Sequence, residues 1–391
     1  MTKSHWYSLW PAAAVNFFYY AIFGGFISYL AIWLSQREFS SVEIGSLFAS
    51  YTLIRIASGQ LWAYLSDRSN NPKLFFQLGM SIAAICLVPV FFTEQKLFTF
   101  IAVTASMTFA MSVVSQLEVL SLMAAKDSAK TYNRIRLFGS VGFIVAAIFM
   151  GWLIDVWHPD AIVYFAIFVC LAGTVFAQLL DNGARLADDS EQGASFWRKC
   201  MDLGFISFML ASILLQVSFA PYVGFFTQYL ANNDYLGAQV GVLFALGTFS
   251  EIFLFAFAGA VLARFHLKRL MYVCLFLTAV RWGLVADYVE SALVITLTQI
   301  IHALSFGLMH SCSVYYIRHH FSAKEQNRGQ FMYIGVSFGI GGAIGAALTG
   351  VTWANGAGSQ LTFYWAGGAA LAAALIILIT PKKKFQFQQA S

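Results

Sequence analysis

Residues 116–151 read QLEVLSLMAAKDSAKTYNRIRLFGSVGFIVAAIFMG, and the fold turns on how this stretch is parsed. Glu118 sits late in one apolar run. A polar, basic hinge follows, carrying Lys126, Lys130 and Arg134. A second apolar run opens with Arg136 and continues through Gly139, Gly142 and Gly151. With its upstream residues, each run approaches the roughly 20 apolar residues that span a bilayer as a helix. Opposite charges in adjacent apolar helices are costly unless they meet each other, a ligand or water.

The rest of the chain repeats this pattern. Its 391 residues are 59% hydrophobic and 10% charged, whereas a soluble domain carries about 25% charged residues. Such a composition cannot cover a water-facing surface. It predicts an all-α, polytopic membrane protein with the lipid bilayer as its main partner. The net charge of +5 is spread over short loops, so it is no nucleic-acid signal. Five scattered cysteines, Cys86, Cys170, Cys200, Cys274 and Cys312, form no CxxC. They predict neither a disulfide framework nor a metal site. The N-terminal apolar run continues to about Leu34 and reads as a retained first span rather than a cleaved signal.

Twelve spanning segments are expected at roughly 10–34, 43–66, 74–92, 97–125, 135–154, 160–180, 202–231, 238–262, 270–287, 291–317, 329–352 and 360–380. Residues 181–201 are polar and charged. They divide the chain into an N-terminal six-helix bundle (1–180), a linker (181–201) and a C-terminal six-helix bundle (202–391) with a short basic tail. Lysines and arginines crowd one set of loops, including Arg68, Lys73, Lys126, Arg264, Lys268, Arg318 and Lys382, while the opposite set holds only Arg37 and Lys96. This asymmetry places both termini and the linker in the cytoplasm. A shift of 196 residues lays Asp67-Arg68 on Ala263-Arg264, Gly139 on Gly335 and Arg55 on Glu251. Such a repeat predicts two pseudo-symmetric halves with a binding site near the midplane.

Sorting the charges leaves Arg55, Glu118, Arg136, Glu251, Arg281, His302 and His310 within spans. Lipid does not solvate them, so each is a candidate for function. Each also has a plainer reading. Glu118 and Arg136 lie toward span ends and could be interfacial, as could His310. Arg281 could serve substrate or form a structural pair with Glu251. His302 could take a proton near neutral pH or pack as a neutral ring. Span one adds Asn16, Tyr19, Tyr20 and Tyr29 beside Gly24-Gly25. Span seven adds Gln216, Tyr222 and Gln228 around Pro221.

Three stretches carry a family resemblance. The loop GQLWAYLSDRSNNPK (59–73) resembles the conserved cytoplasmic motif of the major facilitator superfamily at Asp67, Arg68 and Lys73, with Ala63 and Asn70 in place of its glycines. The opening helices resemble those of the lactose/proton symporter and its relatives. Arg136, eighteen residues after Glu118, resembles the charge pair that binds sugar there. Glu251, Arg281 and His302 follow in the same order. Ser305 and Gln299 stand where that symporter has its proton-carrying glutamate and a lysine, so its proton relay does not carry over. IRLFGSVGFI, VRWGLV and HALSFGLMHS are most similar to the phenylpropionate permease group of bacterial transporters.

The resemblance implies the major facilitator fold in the bacterial inner membrane. It also implies a monomeric secondary transporter, working by alternating access and coupled to protons. The expected substrate is a small aromatic carboxylate such as 3-phenylpropionate, with a sugar or nucleoside as the alternative. Substrate would be held by Glu118, Arg136, Arg55, Asn16, Tyr20 and Tyr222, with Arg136 or Arg55 pairing the carboxylate. Glu251, Arg281 and His302 would couple the proton, and Asp67 and Arg68 would latch the cytoplasmic side. No cofactor beyond the proton gradient is expected. An enzyme is disfavoured: no HExxH or Ser/His/Asp arrangement occurs in the loops, which are too short for a catalytic domain.

Overall fold

The computed structural model describes residues 9–126, 128–181, 194–322 and 324–386. Among them are twelve long helices and no strand. They are α1 (Trp10–Gln36), α2 (Ser41–Ser69), α3 (Pro72–Phe91), α4 (Lys96–Ala125), α5 (Ala129–Val156), α6 (Ala161–Gln178), α7 (Leu203–Ala231), α8 (Gly237–Arg264), α9 (Leu267–Asp287), α10 (Ala292–His320), α11 (Gln326–Gly356) and α12 (Ser359–Ile379). Eleven are long and apolar enough to cross a bilayer. The exception, α2, has 29 residues but carries Glu43, Arg55, Asp67 and Arg68. Outward faces are apolar: Phe249, Phe253 and Phe257 form an exposed stripe on α8. Water does not tolerate contiguous apolar faces of this kind, whereas lipid does. The chain is a multi-pass membrane protein.

The ends of the helices follow from local chemistry. Ser40 and Glu43 form a reciprocal capping box at the start of α2, and Asn70 closes its end in the left-handed conformation. Ser128 caps α5 by accepting from the Thr131 amide, so α5 begins six residues before the expected 135. Between α4 and α5, Lys126 adopts φ 48°. Residues 182–193, most of the expected linker, lie outside the described residues. The remainder of that segment includes a short helix, Ala194–Cys200.

The chain clusters into two compact units, one of Met1–Ala187 with Gly224–Ala245, the other of Asp188–Val223 with Leu246–Ser391. In the first unit, α1 and α5 meet backbone to backbone. A Cβ on Gly142 would lie 2.1 Å from the Phe17 carbonyl oxygen, and one on Gly24 would lie 2.3 Å from that of Phe143. The end of α1 and the start of α8 join the same packing. Gly151 and Gly237 touch through their backbones, and Tyr29 donates to the Ala147 carbonyl at 2.9 Å. Asp155 accepts from the first two amides of α8, those of Gly237 and Ala238, at 2.7 and 2.8 Å. A carboxylate at a helix N-terminus satisfies amides that lack partners within the helix.

The second unit repeats the close pairing of a first and a fifth helix. Cβ atoms on Gly341 and Gly345 of α11 would lie 2.5 and 2.6 Å from the carbonyls of Ile213 and Val217 on α7. Small residues permit such approach where lipid supplies no hydrophobic drive. Three helices widen into π-turns, at Ile22–Phe26, Ala303–Leu308 and Met332–Gly341. The basic tail forms a 3-10 turn, Lys382–Phe385, anchored by the Lys384–Asp202 ion pair and the buried Phe385 ring.

Candidate functional site

In the first unit the α1–α5 crossing sets the geometry. Gly139 lacks a side chain, and the ring of Tyr20 occupies the space, 2.5 Å from where a Cβ would stand. Arg136 lies one turn earlier on α5. Its guanidinium donates to the Tyr20 hydroxyl and sits 4.9 Å from that ring's centroid. Glu118 reaches the same point from α4: its Oε1 is 3.2 Å from Arg136 Nη1, and its Oε2 accepts from the Tyr132 hydroxyl. Of the outcomes open to these two charges, each other, a ligand or water, the structure has them meet each other, about one-third exposed.

Tyr132 was not singled out from the sequence. It lies four residues before Arg136, on the same face of α5, and that spacing was the available signal. Asn16 donates from Nδ2 to Ala12 O at 2.9 Å and to Ser121 Oγ at 2.8 Å, leaving its buried Oδ1 without a partner.

Arg55 differs from Arg136. Its one hydrogen bond runs from Nη1 to Met111 Sδ at 3.9 Å, and no carboxylate among the described residues lies within salt-bridge distance. The buried Tyr19 hydroxyl lies within electrostatic range of Arg55, Arg136 and Glu118 together. Tyr51, one turn before Arg55 on α2, feels it too. The charged side chains of this cluster therefore sum to plus one.

In the second unit a linear chain of contacts joins four helices. His302 Nε2 on α10 lies 3.2 Å from Glu251 Oε1 on α8. Its Nδ1 lies 2.9 Å from Arg281 Nη1 on α9. Arg281 Nη2 also reaches Gln299 Oε1 at 3.4 Å, which accepts from Tyr222 of α7 at 2.9 Å. Arg281 is fully buried, with its guanidinium 4.4 Å from the ring centroids of both Tyr222 and Trp282.

Here the structure places the expected residues differently from the simplest reading. Arg281 and Glu251 are joined through His302 rather than directly. Tyr222 belongs to the arginine cluster. Gln299, which mattered at first only as a replaced lysine, is the hub between Tyr222 and Arg281. It lies three residues before His302, on the same helix face. Ser305 donates to the His302 carbonyl at 3.2 Å and thus serves the π-turn.

At the end of α2, Asp67 and Arg68 form no ion pair with another described residue. Lys73 of the same motif donates to the carbonyls of Gln178 and Leu180 at 2.7 and 2.8 Å, capping the end of α6. Among the described residues no group of three or more His, Cys, Asp or Glu side chains could hold a metal.

Residues 9–365 match the MFS_1 like family. The chain is 24% identical over 357 residues to the maltose permease of Geobacillus stearothermophilus, covering 85% of this chain and 86% of the permease. It is 22% identical over 329 residues to a probable 3-phenylpropionic acid transporter of Escherichia coli (strain K12), covering 83% and 85% respectively. The crystal structure of the nucleoside transporter NupG superposes with a TM-score of 0.81 at 14% identity, over 97% of this chain and all of that one (100%).

Proposed function

Because the chain belongs to the MFS_1 like family, and is thus a transporter of small solutes by family and fold, we propose that it is a proton-coupled symporter of a small aromatic carboxylate. The class is that of 3-phenylpropionate, the acid for which the similar Escherichia coli protein is named. The observation that carries this reading is Arg55, a guanidinium with no carboxylate of its own. Arg136 is already matched by Glu118. Of the two arginines expected to bind a carboxylate, Arg55 is therefore the anchor. Tyr19, Tyr20 and Tyr51 supply aromatic surface nearby.

A guanidinium–carboxylate pair is charge-assisted and often bidentate, so it fixes orientation as well as affinity. Transport proceeds by alternating access in the bacterial inner membrane, with both termini cytoplasmic by the loop-charge rule. Asp67 and Arg68 latch the cytoplasmic side, and Glu251, His302 and Arg281 couple the proton. The protein acts as a monomer and needs no cofactor.

Calorimetric titration of purified protein with 3-phenylpropionate and with the neutral 3-phenylpropanol tests this. The acid should bind and the alcohol should not. Arg55→Gln should weaken the acid about 10- to 100-fold, the range expected for a hydrogen bond to a charged group. Equal affinity for acid and alcohol sinks the reading.

A second reading, a sugar or nucleoside symporter, has its own support. Asn16 Oδ1 and Gln116 Oε1 are buried acceptors without partners, and buried polar atoms normally have one. Substrate hydroxyls would satisfy them. Counterflow of labelled acid against labelled sugar or nucleoside separates the two.

A further inference from the structure

The two halves of the chain build the same corner with different charges. In the first unit, Lys73 at the start of α3 donates to the carbonyls of Gln178 and Leu180 at the end of α6. In the second, Lys268 at the start of α9 donates to the Leu378 carbonyl near the end of α12, at 2.8 Å. Ahead of Lys73 the first half has an acid, Asp67, and the shift of 196 residues puts Ala263 in its place. The second corner has the basic residues without the carboxylate.

That deficit extends beyond one position. Residues 252–286 and 326–391 contain no Asp or Glu. Yet Arg264, His266, Lys268 and Arg269 lie at the α8–α9 corner, and Lys382 and Lys383 follow α12. The tail turn Lys382–Phe385 packs against α9, which makes these one patch. Burial, and then the charges of Lys382 and Lys268, hold the His266 imidazole below its ordinary value of 6.5, so both lysines act at the same point. Elsewhere in this unit Asp202 is matched by Lys384 and Glu325 by Lys199. Arg264, Lys268, Arg269, Lys382 and Lys383 form no ion pair among the described residues.

Apolar surface begins at the edge of this patch. Phe265 is exposed beside Arg264, whose guanidinium lies 5.9 Å from the ring centroid. Leu375, Leu378 and Ile379 are exposed on the last turns of α12. A free phosphate would use only the cations. A phospholipid uses both surfaces, its phosphate on the lysines and its chains on the apolar wall, and basic clusters next to spanning helices attract anionic headgroups in this way. Lys268 keeps two ammonium hydrogens beyond the one given to Leu378.

We infer that the α8–α9 corner and the tail turn form a binding site for one anionic phospholipid. Its phosphate seats between Lys268 and Lys382, and its acyl chains run along Leu378 and Ile379. The headgroup supplies the negative charge that the chain itself lacks here. The site does not depend on which solute is carried.

Thermal unfolding of the purified full-length protein in detergent tests this. Phosphatidylglycerol, phosphatidylcholine with the same chains, and inorganic phosphate are each titrated in, since a ligand that binds the native state raises its melting temperature. Only phosphatidylglycerol should do so. Lys382→Gln/Lys383→Gln should raise the concentration giving half the effect by about fivefold for each lysine removed, the weight of one cation near an anionic headgroup. Ala263→Asp, which leaves every basic residue in place and adds an internal counter-ion, should weaken the response as well. Lys126→Gln/Lys130→Gln, which removes the same charge from the first unit, should not.

No rise with phosphatidylglycerol, or an equal rise with phosphatidylcholine, overturns the inference. A rise with inorganic phosphate alone assigns the patch to a free anion and overturns it too. An unchanged response in Lys382→Gln/Lys383→Gln or in Ala263→Asp places the lipid elsewhere. An equal loss in Lys126→Gln/Lys130→Gln makes the effect one of total charge, with no site.

Discussion

Arg136 Nη1 stands 3.2 Å from Glu118 Oε1, although eighteen residues and a helix reversal at Lys126 separate the two in sequence. The pair is about one-third exposed, and ion pairs so hydrated contribute about 0–1 kcal/mol. Glu118→Gln should therefore melt within a few degrees of wild type. Its effect on ligands should be large and of opposite sign for the two substrate classes. Releasing Arg136 adds a second free guanidinium, so 3-phenylpropionate should bind more tightly. A sugar or nucleoside held by the pair should lose about tenfold or more, as when a charged hydrogen-bond partner is removed. Calorimetry with both ligands reads the difference.

Glycines in the first unit should sort by what lies beside them. Gly142→Ala drives a methyl into the backbone of Phe17, where nothing can yield, and should cost about 1–3 kcal/mol of stability. Gly139→Ala meets only the Tyr20 ring. It should leave the melting temperature nearly unchanged but weaken substrate binding, because the Tyr20 ring, part of the aromatic surface proposed to receive the substrate, must move. Gly59→Ala meets nothing within 4 Å. It should raise stability slightly, by up to about 1 kcal/mol of helix propensity. Thermal unfolding of the three variants, with ligand titration, checks the order.

Outside the membrane, the Lys199 ammonium and the Ser322 hydroxyl hold the Glu325 carboxyl down to about 2, from an ordinary value of 4.5. The folded state thus favours the ionised form. Its contribution is fully present above about pH 4.5 and is lost as pH falls toward 2. The advantage in melting temperature of wild type over Glu325→Gln, measured at pH 6, should shrink steadily below pH 4.5. A constant gap between the two curves would show that the Lys199–Glu325 pair is not responsible.

The helices and the charge clusters were legible because lipid makes both expensive to get wrong. Twelve apolar stretches predicted twelve helices, even α2, whose four charges hide it from a hydropathy threshold. The same cost marked Glu118, Arg136, Glu251, Arg281 and His302, and the structure joins them as one pair and one triad. Neutral polar residues raise no such alarm. Tyr132 and Gln299 had to be found by position, although each lies one turn from a marked charge. The π-turns were not legible at all, because composition does not say where a helix shifts its hydrogen bonds. Nor was the clustering of residues 224–245 with the first unit, where Gly151 and Gly237 touch through their backbones.

The π-turn at Ala303–Leu308 has a consequence for how α10 tolerates change. Its i→i+5 bonding winds more slowly than an α-helix, which brings residues four apart closer to one line. His302, Phe306 and His310 accordingly stack as a column, with successive interplanar angles of 6° and 8°. A single-codon deletion within 303–308 would let ordinary α-helix close the gap, because a π-turn takes up one extra residue without turning the helix beyond it. The segment that holds Gln299 and His302 and the one that makes the His310–Tyr333 contact at 3.2 Å would keep their register. The helix is thus more forgiving of one lost residue at this turn than elsewhere along it, and insertion–deletion scanning, rather than point mutation, would expose it.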